Sequence, residues 1–135
     1  MSLPARDARN AYLSSTVETA SPAQLLLMLL DRLVLDIQRG GRMQAQGEFR
    51  DAGRQFVHAQ AIVTELMSTL RTEEWPPGRR LMSLYIYLSR RLVQANVRRD
   101  TRAARESLWL AQSLTDTWKQ AARLAAVEAK SAVAK

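Results

Sequence analysis

The stretch FRDAGRQFVHAQAIVTELMSTL, residues 49–70, decides the fold. Its apolar residues Phe49, Ala52, Phe56, Ala59, Val63, Leu66 and Leu70 recur at alternating intervals of three and four. That is the period of one helix face, and nowhere does the chain sustain the two-residue alternation of a half-buried strand. The spacing predicts a helix from about Gln46 or Glu48 to Leu70 with a single buried stripe.

The same spacing returns on the C-terminal side, where Leu81, Tyr85, Leu88, Leu92 and Ala95 mark a helix over about Arg79 to Val97. Between the two lies Trp75-Pro76-Pro77-Gly78, which breaks the chain because consecutive prolines cannot continue a helix. Asp100-Thr101 is a cap for a further helix reaching about Lys130. It carries Ala104, Leu108, Ala111, Thr115, Trp118, Ala122 and Ala125 on one row, and Leu110, Leu114 and Leu124 on a second. On the N-terminal side Ser21-Pro22 opens a helix, with serine at the N-cap, proline at the first helical position and Gln24 three residues on. The Gly40-Gly41 pair predicts that this helix stops near Arg39.

Heptad-like stripes on helices joined by short loops predict an all-α fold, an antiparallel four-helix bundle with neighbours crossing at about 20°. Large residues on the second and third helices would face alanine on the fourth and interdigitate with it. The expected organisation is a flexible N-terminal segment over 1–20, a bundle over 21–130 and a frayed C-terminus over 131–135. A chain of 135 residues supports one such domain, and its 5 glycines and 4 prolines suit helices rather than loops.

Leu25-Leu26-Leu27-Met28-Leu29-Leu30 is apolar on every side of a helix. Such a segment must be covered by its own fold or by a partner. A run of this length is far below the roughly 18 residues of a membrane span. The first twenty residues carry Arg6, Asp7, Arg9 and Glu18 without an apolar core, so no secretory signal is visible and a cytoplasmic location is expected. Cysteine is absent, which excludes disulfides and thiolate metal sites.

Residues that do chemistry are scarce. The single histidine, His58, lies beside the stripe of its helix, and no Glu-x-x-His pair places metal ligands on one face. The 13 acidic residues are scattered, many next to arginine as surface pairs. No nucleophile–base pairing appears, so neither an enzyme nor a cofactor or metal is expected. Net charge is +7, and between Arg79 and Arg102 seven arginines face one acid, Asp100. Arg80, Arg91 and Arg98 can share one outer face of the third helix. A solvated basic face is the plainest account; a basic adaptor for an acidic protein partner or for nucleic acid is the alternative. Nucleic acid is the weaker of the two, because helix-turn-helix, zinc-module and exposed-aromatic signatures are all missing.

The order of these residues carries a resemblance. The stretch Leu84-Tyr85-Ile86-Tyr87-Leu88-Ser89-Arg90-Arg91-Leu92-Val93-Gln94-Ala95-Asn96-Val97-Arg98-Arg99-Asp100 resembles a signature of the flagellin-specific export chaperone family, FliS. Tyr12 to Leu29, with Val17, Thr19-Ala20-Ser21-Pro22, Leu25 and Met28-Leu29, is similar to that family's N-terminal signature. Ala59, Ile62, Glu65-Leu66 and Leu70 match its second helix, and Trp118 stands where its last helix usually has tryptophan. Two positions depart from the pattern: Leu30-Asp31-Arg32 stands where Tyr and Asp-Gly are usual, and Ile86 replaces an acidic residue.

The resemblance implies a chaperone that binds the disordered C-terminal segment of flagellin, prevents its premature polymerisation and keeps it competent for the flagellar export apparatus. It also implies that an N-terminal segment covers part of the binding surface when empty; Leu3, Tyr12, Leu13 and Val17 are the residues suited to that. A segment that is disordered when free must bury apolar side chains to offset its ordering, so greasy grooves between helices are expected. The expected partner-binding residues are Tyr12, Leu26, Leu29, Leu30 and Tyr87. Tyr85 falls on the core stripe and Tyr87 does not, and Trp118 is expected to pack.

Overall fold

In the computed structural model, residues 21–70 and 77–134 are described. They form four helices: α1 over Pro22–Ala45, α2 over Phe49–Thr69, α3 over Pro77–Val97 and α4 over Thr101–Ala134. Each packs chiefly on two neighbours, α1 on α2 and α4, and α3 on α2 and α4, so the helices close a square. Contacts between α1 and α2 run in opposite directions: Gly40 meets Phe56, and Asp36 meets His58 two residues further along α2. The arrangement is the antiparallel four-helix bundle that the stripes predict.

Capping explains where the helices start. Ser21 Oγ accepts from the Gln24 backbone N–H at 3.1 Å, and Gln24 Oε1 accepts from the Ser21 N–H at 2.8 Å, completing a capping box. Asp100 caps α4 by accepting from the N–H groups of Arg102 and Ala103 at 3.0 and 3.1 Å.

The end of α1 differs from the expectation. The helix does not stop at Gly40-Gly41 but continues to Ala45. Gly47, at φ +78, is the glycine that turns the chain toward α2. Gly40 serves packing: a Cβ there would lie 2.8 Å from the Phe56 ring. At the same end Gln44 Nε2 donates to the Ala95 carbonyl at 2.8 Å, tying α1 to α3.

The core follows the stripes. Ala52, Phe56, Ala59, Val63 and Leu66 of α2, and Tyr85, Leu88, Leu92 and Ala95 of α3, are buried. Opposite them α4 presents Ala103, Ala104, Ser107, Ala111 and Thr115, small residues that admit the larger ones. Phe49 is the exception in its stripe: it lies at the surface, where the Arg99 guanidinium stacks 3.9 Å from its ring centroid. Leu124 is also exposed, because α4 outruns the bundle and residues 123–133 touch little of it. The frayed end expected over 131–135 is helical as far as Ala134. Arg91 does not lie on an outer face: it turns toward α4 and pairs with Glu106 at 3.2 Å.

Candidate functional site

The capping box fixes the phase of α1, and that phase divides the apolar run. Successive residues rotate by about 100° around a helix, so six consecutive apolar side chains cannot share one destination. Leu30 falls on the inner row with Leu33 and Ile37 and is fully buried. Leu26 and Leu29 pack partly against the core from the side. Leu25 and Leu27 are half-buried, and Met28 is 54% exposed.

Leu25, Leu26, Met28 and Leu29, with Pro22, form one wall of a groove of about 820 Å³ whose other wall is Glu65, Leu66 and Thr69 of α2. On the far wall the Thr69 hydroxyl is turned to its own helix, donating to the Leu66 carbonyl at 3.0 Å. The recess is therefore apolar, with Glu65 as its charged group. Met28 adds a flexible, polarisable side chain that adapts to different contacting shapes. Such a groove can take up apolar side chains from water.

Of the residues expected to bind a partner, Leu26 and Leu29 are brought together in this groove. Leu30 is not available there: its position on the inner row buries it in the core beneath the groove, and the expectation of a surface role is corrected accordingly. Tyr87 is 44% exposed but lies elsewhere, on the side of α3 that faces α4. Its hydroxyl donates to Glu106, which also holds Arg91. Tyr12 lies outside the described residues, as do Leu3, Leu13, Val17 and Trp75. Pro22, Leu25 and Met28 complete the groove; their signal was the shared row Pro22, Leu25, Met28/Leu29 at helical spacing.

Two tyrosines report their surroundings. Burial pushes the Tyr85 hydroxyl above the usual 10.0, while a hydrogen bond from the Trp118 side chain pulls the other way. Trp118 thus packs against the core, as expected, and supports Tyr85 as well. The hydrogen bond to the Glu106 carboxylate raises the Tyr87 hydroxyl. His58 is half-exposed on α2 and meets the fully buried Asp36 carboxylate, whose other oxygen accepts from Arg32 at 3.0 Å. This cluster joins α1 to α2 and satisfies a buried acid.

Comparison with known proteins agrees with the geometry. The family described as "Flagellar protein FliS" matches residues 5–125. A protein of Bacillus subtilis strain 168 named "Flagellar secretion chaperone FliS" is 33% identical over 112 residues, 82% of this chain and 83% of its own. The protein of the same name from Salmonella typhimurium is 34% identical over 108 residues, 78% of this chain and 80% of its own. That of Escherichia coli K12 is 31% identical over 108 residues, 78% and 79% of the two chains. With an antiparallel bundle, a leucine-lined groove and relatives that share most of its length, this chain belongs to the FliS family, whose matched members are flagellar secretion chaperones.

Proposed function

We propose that this protein is a cytoplasmic flagellar secretion chaperone that holds the disordered C-terminal segment of flagellin, with the α1–α2 groove receiving the segment's apolar side chains. The observation that carries this reading is the groove of about 820 Å³ that α1 and α2 form beside the core among the described residues. A segment without structure of its own gains order only if it buries enough apolar surface, and a leucine-lined recess supplies that surface. Occupied in this way, the segment is withheld from polymerisation and stays unfolded for the export apparatus. The protein holds its client without transforming it, so the reading needs neither enzyme activity nor cofactor. No helix among the described residues is long and apolar enough to cross a membrane.

In this reading Leu26 and Leu29 touch the client, Leu30 supports them from beneath, and Tyr87 contributes from the α3–α4 side. Residues 1–16, with Tyr12 as their anchor, cover the groove when no client is present. Met28→Asp tests the groove directly. The side chain is 54% exposed, so the fold should tolerate the change. Affinity for the flagellin segment should fall by about tenfold or more, with an unchanged melting temperature. Unchanged affinity would remove the groove from the interface. Deleting residues 1–16 should raise the binding of a hydrophobic dye, and no rise would dismiss the covering role.

A further inference from the structure

A second groove runs between α1 and α4 at the opposite end of the bundle, with a volume of about 570 Å³. Its floor is apolar, made by Ile37, Ala104 and Leu108. Gly41 lies in its wall, in the body of a helix, where glycine lowers helix stability. Nothing in the fold requires glycine there: its φ is not positive, and a Cβ built on it meets no atom within 4 Å. Gly40, one residue before, shows the contrast, since Phe56 occupies the space its side chain would need. Arg42 and Arg105 line the same groove and are exposed. Among the described residues neither forms an ion pair, although Arg32, Arg54 and Arg91 all do.

Two of the carboxylates near this end are engaged elsewhere, and the exposed Glu48 at the start of α2 pairs with neither arginine. Asp100 caps α4, and Asp51 stands 3.8 Å from Arg54. Two unpaired guanidinium groups beside an apolar floor complement a ligand that is negatively charged and partly apolar. No aromatic side chain lines the groove to stack a base, which favours a polypeptide over a nucleic acid. We propose that the α1–α4 groove is a second docking site, separate from the leucine-lined groove, which takes an acidic polypeptide segment. An apolar side chain of that segment seats against Gly41 and Ile37, and flanking carboxylates pair with Arg42 and Arg105.

The test is fluorescence anisotropy of the full chain with a labelled synthetic peptide in which glutamates flank a single leucine. The peptide should bind, and the double variant Arg42→Glu/Arg105→Glu should weaken binding by about tenfold or more. Gly41→Leu, which fills the groove at a position with free space around it, should weaken binding as much while leaving thermal unfolding intact. Met28→Asp should leave this affinity unchanged. Absence of binding would overturn the proposal. So would a Gly41→Leu variant that binds normally, because the attraction would then be charge alone. Equal competition by duplex DNA, or loss of binding in Met28→Asp, would also overturn it, by showing a nucleic-acid surface or occupancy of the other groove.

Discussion

Leu29 and Leu30 are adjacent and chemically identical, yet one borders a groove and the other is sealed in the core. The difference is a single step of about 100° around α1. At this scale the titration of Tyr85 gives a prediction. Burial holds its hydroxyl above 10.0 in the folded protein, with the hydrogen bond from Trp118 opposing in part. The native state therefore holds that proton more tightly than the unfolded chain does. The resulting stability is fully present below the unfolded-chain value and is lost as pH rises through it toward the folded one. Tyr85→Phe has no such proton, so its denaturant midpoint should decline less than that of the parent protein between neutral and strongly alkaline solution. Parallel declines would assign the alkaline loss to other groups.

Among elements, α1 is where local signals and packing part company. Gly40-Gly41 looks like a stop from within the helix, and the helix nevertheless continues to Ala45. What requires glycine at position 40 is the Phe56 ring on α2, a contact with a residue distant in sequence. The two glycines should accordingly respond in opposite directions to alanine. Gly40→Ala places its Cβ 2.8 Å from the fully buried Phe56 ring, which has nowhere to move. It should cost about 1–3 kcal/mol of stability through overpacking. Gly41→Ala meets open space and should stabilise the helix by about 0.5–1 kcal/mol. Urea denaturation of both variants checks this, and effects of the same sign would show that the two positions are not packed as described.

Across the whole molecule, the stripes of α2 and α3 were legible in the sequence because a helical period is a local property. Ala52, Phe56, Ala59, Val63 and Leu66 are buried where their spacing placed them. The candidate site was legible in part. The surplus of leucine in residues 25–30 pointed to the segment that lines the α1–α2 groove, but Leu30 could be separated from Leu26 and Leu29 only once the neighbours of α1 were known. Arg91 was also misplaced from sequence alone, since it is held by Glu106 on another helix. Contacts of that kind leave no trace in spacing. The bundle as a whole separates its surfaces: a leucine-lined groove between α1 and α2 at one end, and a basic groove between α1 and α4 at the other. Between them lies a core of large residues packed against the small residues of α4.

The central claim is that this bundle captures a disordered flagellin segment by burying its apolar side chains. Isothermal titration with the C-terminal segment of the host's flagellin, about 40 residues long, tests it most directly, because apolar burial coupled to folding gives a large negative heat-capacity change. The account predicts a tight 1:1 complex with that signature. A folded, monodisperse sample that gives no heat of binding at several temperatures would contradict it.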